Sequence, residues 1–209
     1  MTTYLITTHH NKDTRHEYIK DHLYSFDVVP IMASDWRMFK HTNLNEAQYK
    51  QQSLTLAYYT SCQTAVFCDL EEFMILEDDV HIYNKFLFDS ALESLPHDFD
   101  LVYLAYTKHN AEGAITKPYN EYYATVIANY WETPATLWSI DFAKKFIQYI
   151  ESKLEKGLWL GHIDHELLKI LTEQRPKYYC LTEPLVIGLS SEPEKAPQTI
   201  DLSNSISAK

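Results

Sequence analysis

Phe73-Met74-Ile75-Leu76-Glu77-Asp78-Asp79 is the stretch on which the reading of this chain turns. Four consecutive apolar residues predict a short strand buried in a core, and they end abruptly in acid. Three adjacent carboxylates repel one another, and an unpaired charge at the mouth of a buried strand is costly. A divalent cation would relieve that repulsion. Carboxylate oxygens are hard ligands suited to Mg²⁺ or Mn²⁺, which often keep only one or two protein ligands alongside phosphate oxygens. The ordinary alternative is a solvated acidic turn.

Working outward, short apolar runs alternate with helical periodicity. Residues 4–8 read as a first strand that gives way to polar His9, His10 and Asn11. Thr14 and Glu17 then form a capping box for a helix with Tyr18, Ile19, Leu23 and Phe26 on its inner stripe. A second strand, 27–32, carries Pro30. Asn45 can cap a long helix reaching about residue 68, with Leu54, Tyr58, Ala65 and Val66 inward. Beyond the acidic triplet, strands are expected at 101–106, 122–128 and 135–139. Asp141 caps a helix carrying Phe142, Phe146, Ile150 and Leu154, stopped at Gly157. Ile163, Leu167, Ile170 and Leu171 mark another helix, and 178–181 and 185–189 close the chain as strands. This alternation predicts an α/β domain over residues 1–190, with a central, mostly parallel mixed sheet flanked by helices. Residues 191–209 read as a polar, Pro/Ser-rich extension or a linker to a longer multidomain chain. In open sheets of this kind ligands bind at the carboxyl ends of the strands.

Composition narrows the partners. Among 209 residues, 18 Lys plus Arg stand against 29 Asp plus Glu, a net charge of −11 that repels phosphate backbones and anionic membranes. Neither nucleic acid nor a membrane is expected as a partner, and a nucleotide ligand would need a bridging cation. Only four glycines occur, and no three fall within six residues, so a dinucleotide fingerprint and a phosphate-binding P-loop are both excluded. Cys62, Cys68 and Cys180 form no CxxC pair and read as reduced, buried thiols of a cytosolic-type compartment, the host cytoplasm if the chain is viral. The opening residues lack the basic start and long apolar core of a signal peptide.

Three further groups stand out. Gly161-His162-Ile163-Asp164-His165-Glu166 fails the zincin pattern, because Lys169 stands where the second histidine belongs. Asp164 reads either as a first-turn acid complementing the helix dipole or as a group acting on a sugar hydroxyl. His9, His10, Asn11 and Arg15, with Ala33, Ser34 and Asp35, can line a nucleotide pocket, although a salt bridge suits Arg15 equally. His97-Asp98 is similar to the pair of HD-type phosphohydrolases, which are all-helical, whereas this chain is strand-rich.

Several of these segments together resemble glycosyltransferase family 25, the lipopolysaccharide type. The residues that carry the resemblance are Tyr4-Leu5-Ile6-Thr7-Thr8 with Arg15 and Leu23, then Ala33-Ser34-Asp35, then Ile75-Leu76-Glu77-Asp78-Asp79-Val80. Residues 135–140 with Ala143 and Phe146, then Ile163-Asp164, and finally Pro184-Leu185-Val186 extend it across nearly the whole chain. Two segments depart from the family: Thr7-Thr8-His9 replaces Asn-Leu-Asp, and Tyr59-Thr60-Ser61-Cys62 replaces a Gly-Cys segment. The resemblance implies a GT-A-like fold and a metal-dependent transfer from a UDP-sugar donor to a glycan or glycoprotein acceptor. It further implies Mn²⁺ or Mg²⁺ on Asp79 and Glu77, and Asp78 at the ribose or sugar. Thr8, His9, Arg15 and Asp35 would frame the uridine, and Asp164 would be the catalytic residue, orienting the acceptor or donor hydroxyl or acting as base if the anomeric centre inverts. A metal-dependent phosphohydrolase and a non-catalytic sugar-nucleotide-binding domain are the alternatives.

Overall fold

The computed structural model describes residues 1–8, 27–34, 45–82, 84–105, 114–128, 133–183 and 185–188. Its elements are β1 (Thr2–Thr7), β2 (Asp27–Met32), α1 (Glu46–Phe67), β3 (Glu72–Glu77), β4 (Val80–Ile82), α2 (Lys85–Glu93) and β5 (Leu101–Tyr103). They continue with β6 (Ile115–Pro118), β7 (Tyr123–Ala128), β8 (Ala135–Ser139), α3 (Ile140–Glu155), α4 (Ile163–Gln174), β9 (Tyr178–Leu181) and β10 (Val186–Gly188). Eight strands form one sheet in the order β2-β1-β3-β8-β5-β9-β7-β6, while β10 and β4 make a separate antiparallel ribbon. β1 pairs in parallel with both β2 and β3, and β5 with β9; only β8 and β7 are reversed, so the sheet is mixed and mostly parallel.

The period-two rule divides the core into two layers. Tyr4, Ile6, Phe73, Ile75, Leu101, Tyr103 and Trp138 point to one face and pack against α1, α3 and α4. Leu5, Met74, Leu76, Val102 and Leu137 point to the other, under Phe88 and Ala91 of α2 and Val80 and Val186 of the ribbon. Trp138 anchors the first layer: it stacks on Phe73, contacts Phe142 and Phe146, and satisfies its indole N–H on Thr136 Oγ1 at 2.8 Å. Phe73–Leu76 is essentially inaccessible to water, as its unbroken apolar run requires. Pro30 is tolerated because β2 is an edge strand.

The long helix starts where expected. Asn45 accepts the Gln48 N–H and the Gln48 side chain accepts the Asn45 N–H, each at 3.0 Å, and Cys68 ends the helix. Its inner face carries Tyr58 and Ala65, whereas Leu54 and Val66 are only half-buried. Several expectations need correction. Ser139, not Asp141, is the N-cap of α3, accepting the Phe142 N–H at 3.2 Å, because β8 runs straight into the helix. Leu154 is exposed at the helix end, just before Gly157 reverses the chain at a φ of +63°. Cys68 is exposed because it lies past the last turn of α1; Cys62 and Cys180 are buried, and all three are free thiols. The strand expected over 101–106 ends at Tyr103, and the last strand joins the small ribbon rather than the main sheet. The helix expected after β1 and the polar tail from 191 lie outside the described residues.

Candidate active site

β1, β2 and β3 run in parallel, so their carboxyl ends share one edge of the sheet. There Ile6 lies beside Glu77 in register, the Ala33 N–H donates to the Thr7 carbonyl at 2.8 Å, and the Glu77 N–H donates to the Pro134 carbonyl at 2.7 Å. Alternation along the strand decides where the acids go. Glu77 follows Phe73 and Ile75 onto the helical face, where it meets Tyr58 of α1. Asp78 takes the opposite direction, and its Oδ2 accepts the Thr7 hydroxyl at 2.7 Å.

Tyr58 ties Glu77 into the core. Its hydroxyl lies 3.1 Å from Glu77 Oε1 and also hydrogen-bonds the Thr133 carbonyl. A hydroxyl has one proton, and a carbonyl can only accept. When that proton goes to Thr133, the Glu77 contact is a hydrogen bond only if the carboxyl donates. The electrostatics agree. Close packing pushes the Glu77 carboxyl up to about 8, with repulsion from Asp79 and Asp164 adding to it and the Tyr58 hydrogen bond opposing. Burial and the Glu77 charge likewise push the Tyr58 hydroxyl well above its ordinary range.

Asp164 reaches this cluster from α4. His162 is the N-cap of that helix, and its Nδ1 lies 3.2 Å from Asp164 Oδ2. Asp164 is only 9% exposed, and among the described residues its Oδ1 has no hydrogen-bond partner. Its charge contributes to the raised pKa of Glu77, Tyr58 and Tyr103. A solvated first-turn acid would show neither feature.

The loop entering α4 is clamped from both sides. Gly161 donates its N–H to Glu166 Oε1 at 2.8 Å, and its carbonyl accepts the Thr55 hydroxyl at 2.8 Å. A Cβ at Gly161 would stand 2.9 Å from Glu166 Oε1, so any larger residue there would oblige the Glu166 carboxylate to shift. Glu166 itself is fully buried, and its Oε2 accepts Lys153 Nζ at 2.7 Å and the Tyr149 hydroxyl at 2.6 Å. Burial alone would push this carboxyl up; the bonds from Lys153, Tyr149 and Gly161 outweigh it and hold the group below its ordinary value.

Of the residues singled out from sequence, Glu77, Asp78, Asp79 and Asp164 thus belong to one cluster, with Thr8 at the end of β1 on the same edge. His9, Arg15 and Asp35 lie outside the described residues. His97-Asp98 is elsewhere: Asp98 precedes β5 at the opposite end of the sheet, where it pairs with Lys177 and accepts the Tyr179 hydroxyl at 3.0 Å. Sequence reasoning missed Tyr58 and Thr7 as partners of the acids, and Thr133 as the carbonyl that holds Tyr58. Periodicity put Tyr58 inside, but no spacing rule says whose carboxylate its hydroxyl meets.

The donor set at this edge is all oxygen, which fits a hard divalent cation, and its mutual repulsion is what such a cation would relieve. Among the described residues no group of three or more His, Cys, Asp or Glu side chains is placed to hold a metal ion together. An ion at this edge would have to be held by one or two carboxylates, with water or phosphate oxygens completing its shell.

The sequence matches no protein-family model, and no curated protein resembles it in sequence. The fold, by contrast, is well represented among solved structures. A glycosyltransferase involved in glycosylation of the major capsid of PBCV-1 superposes with a TM-score of 0.54 at 10% identity, over 93% of this chain and 98% of that one. The CTP:phosphocholine cytidylyltransferase of Streptococcus pneumoniae gives 0.52 at 9% identity, covering 90% and 92%. The inositol-1-phosphate CTP transferase of T. maritima gives 0.52 at 14%, covering 91% and 89%. At such identities the likeness establishes the fold: a GT-A-like α/β domain of the kind shared by glycosyl- and nucleotidyltransferases. Among the described residues no helix is long and apolar enough to cross a membrane.

Proposed function

We propose that the protein is a metal-dependent glycosyltransferase that transfers a sugar from a UDP-sugar to a glycan or glycoprotein acceptor, as the family 25 resemblance implies. The observation that carries this reading is the gathering of Glu77, Asp78, Asp79 and Asp164 at the carboxyl edge of β3, where burial first and then repulsion from Asp79 and Asp164 push Glu77 up to about 8. A net charge of −11 opposes the approach of a bare diphosphate to this acidic edge, and a cation held there would offset it. Asp79 and Glu77 would hold Mn²⁺ or Mg²⁺. That ion, when bound, supplies the positive charge that neutralises the diphosphate and the departing UDP.

The chain's own residues do the rest. Thr7 fixes Asp78 through its hydroxyl, leaving the carboxylate oriented for ribose or sugar hydroxyls. Tyr58 holds Glu77 against Thr133 until the carboxyl gives up its proton. Asp164, braced by His162, orients the attacking hydroxyl or takes its proton if the anomeric centre inverts. Thr8, with His9, Arg15 and Asp35, would frame the uridine. The charge balance and free thiols suit a cytoplasmic enzyme.

A second reading, nucleotidyl transfer, is favoured by the two cytidylyltransferases of similar TM-score. Product analysis separates the two. Incubation with UDP-sugars, an acceptor panel and Mn²⁺ should release UDP and a glycosylated product. Release of pyrophosphate from CTP and a sugar- or polyol-phosphate would support nucleotidyl transfer instead, and free phosphate alone a phosphohydrolase.

A further inference from the structure

On the outer side of α3 and α4, away from the sheet, lies an open groove of about 550 Å³. This volume is within the range of small-ligand sites. Lys153, Lys156 and Lys169 line it, against Glu173 on its wall and Glu166 beneath it, so three lysines face two carboxylates on a chain of net charge −11. Trp159 and Tyr149 form part of its wall. The site is built rather than incidental. Fully buried Glu166 lies behind it, fixes Lys153 at 2.7 Å and draws Lys169 to 3.3 Å. Lys153 Nζ also sits 5.6 Å from the Tyr149 ring centroid.

An indole beside a set of ammonium groups suits one class of ligand. The flat apolar face of Trp159 can pack on a sugar ring, and the lysines act as point charges for a carboxylate or phosphate on the same or the next ring. We infer that this groove binds an acidic saccharide: a sugar chain bearing uronate or phosphate groups. The groove flanks the loop that delivers Asp164. A chain held there lies next to the reaction edge without occupying it, and would be the distal part of the acceptor. That last assignment rests on the glycosyltransferase reading; the binding itself does not.

The test uses the full chain, with tetragalacturonate as the acidic probe and its fully methyl-esterified, neutral form as control. Binding is followed by amide NMR shifts and Trp fluorescence at low ionic strength. Shifts should concentrate at Lys156, Trp159 and Lys169, with the ester binding at least tenfold more weakly. The double variant K156E/K169E should weaken the acid at least tenfold, Trp159→Ala should weaken it too, and added salt should do the same. Inorganic phosphate, measured alongside, should compete only weakly, because it offers no ring to Trp159. Equal binding of acid and ester, unchanged affinity in K156E/K169E, or shifts elsewhere would overturn the proposal. UDP affinity with Mn²⁺ on the same samples reports the donor site independently, so failure of one reading is not mistaken for failure of the other.

Discussion

Replacing Lys153 by Met removes the one well-buried cation facing Glu166 while keeping the bulk of the side chain. Glu166 is inaccessible to solvent, so its carboxylate then relies on Tyr149, the Gly161 N–H and the more distant, half-exposed Lys169. Stranding a buried charge in this way typically costs about 3–5 kcal/mol. Because three donors remain, we expect the lower end, about 3 kcal/mol. For a domain of this size each kcal/mol moves the melting temperature by roughly 2–4 °C, which gives a drop of about 6–12 °C by calorimetry. The pH dependence adds a signature. Glu166 has a depressed pKa in the fold, so its contribution is present above the ordinary carboxylate range and is lost as pH falls through its folded value. In Lys153→Met that loss should begin at higher pH. Since Gly161 and hence Asp164 hang on Glu166, transfer should suffer more than UDP affinity. A melting temperature within 2 °C of wild type at pH 7 would refute the argument that this ion pair supports the loop.

Glu77→Gln should change the pH dependence of the metal-free protein. The raised pKa makes the wild-type contribution full below the unfolded value of about 4.5 and lost as pH rises through about 8. The variant should therefore melt higher than wild type at pH 8.5 and similarly at pH 5; parallel curves would contradict this. Gly161→Ala should lower the melting temperature, because its Cβ meets Glu166 Oε1 at 2.9 Å; an unchanged thermal scan would show that Glu166 can yield. Asp164→Asn should leave UDP affinity near wild type while transfer falls at least about 100-fold, read by comparing titration with turnover. Full activity in that variant would remove Asp164 from the chemistry.

The sequence was most informative where local physics alone decides. The run Phe73 to Leu76 pointed to β3, and Asn45 to the start of α1, because capping and burial are properties of neighbouring residues. Short elements were not legible. β4 has three residues, β6 is an exposed edge strand ending in Pro118, and α2 spans nine residues, below the length at which helical periodicity speaks. Ser139 and Asp141 are both able caps two residues apart, and only the path of β8 chooses between them. The acidic cluster could be read as residues but not as partners: that Tyr58 reaches Glu77 and Thr7 reaches Asp78 depends on which strands lie side by side. Asp98 beside His97 carries the same lesson in reverse, since its partners Lys177 and Tyr179 come from a strand eighty residues away.

The account rests on a cation held by the β3 carboxylates joining a nucleotide diphosphate to an acidic protein. Calorimetric titration of UDP into wild type and Asp79→Asn, each with Mn²⁺ and with EDTA, tests that directly. Asp79→Asn keeps the shape and removes a charge. The prediction is UDP binding only in wild type with Mn²⁺, falling at least about tenfold both in EDTA and in the variant, with melting temperatures unchanged. Equal UDP affinity in all four titrations, or none in any, would contradict the claim.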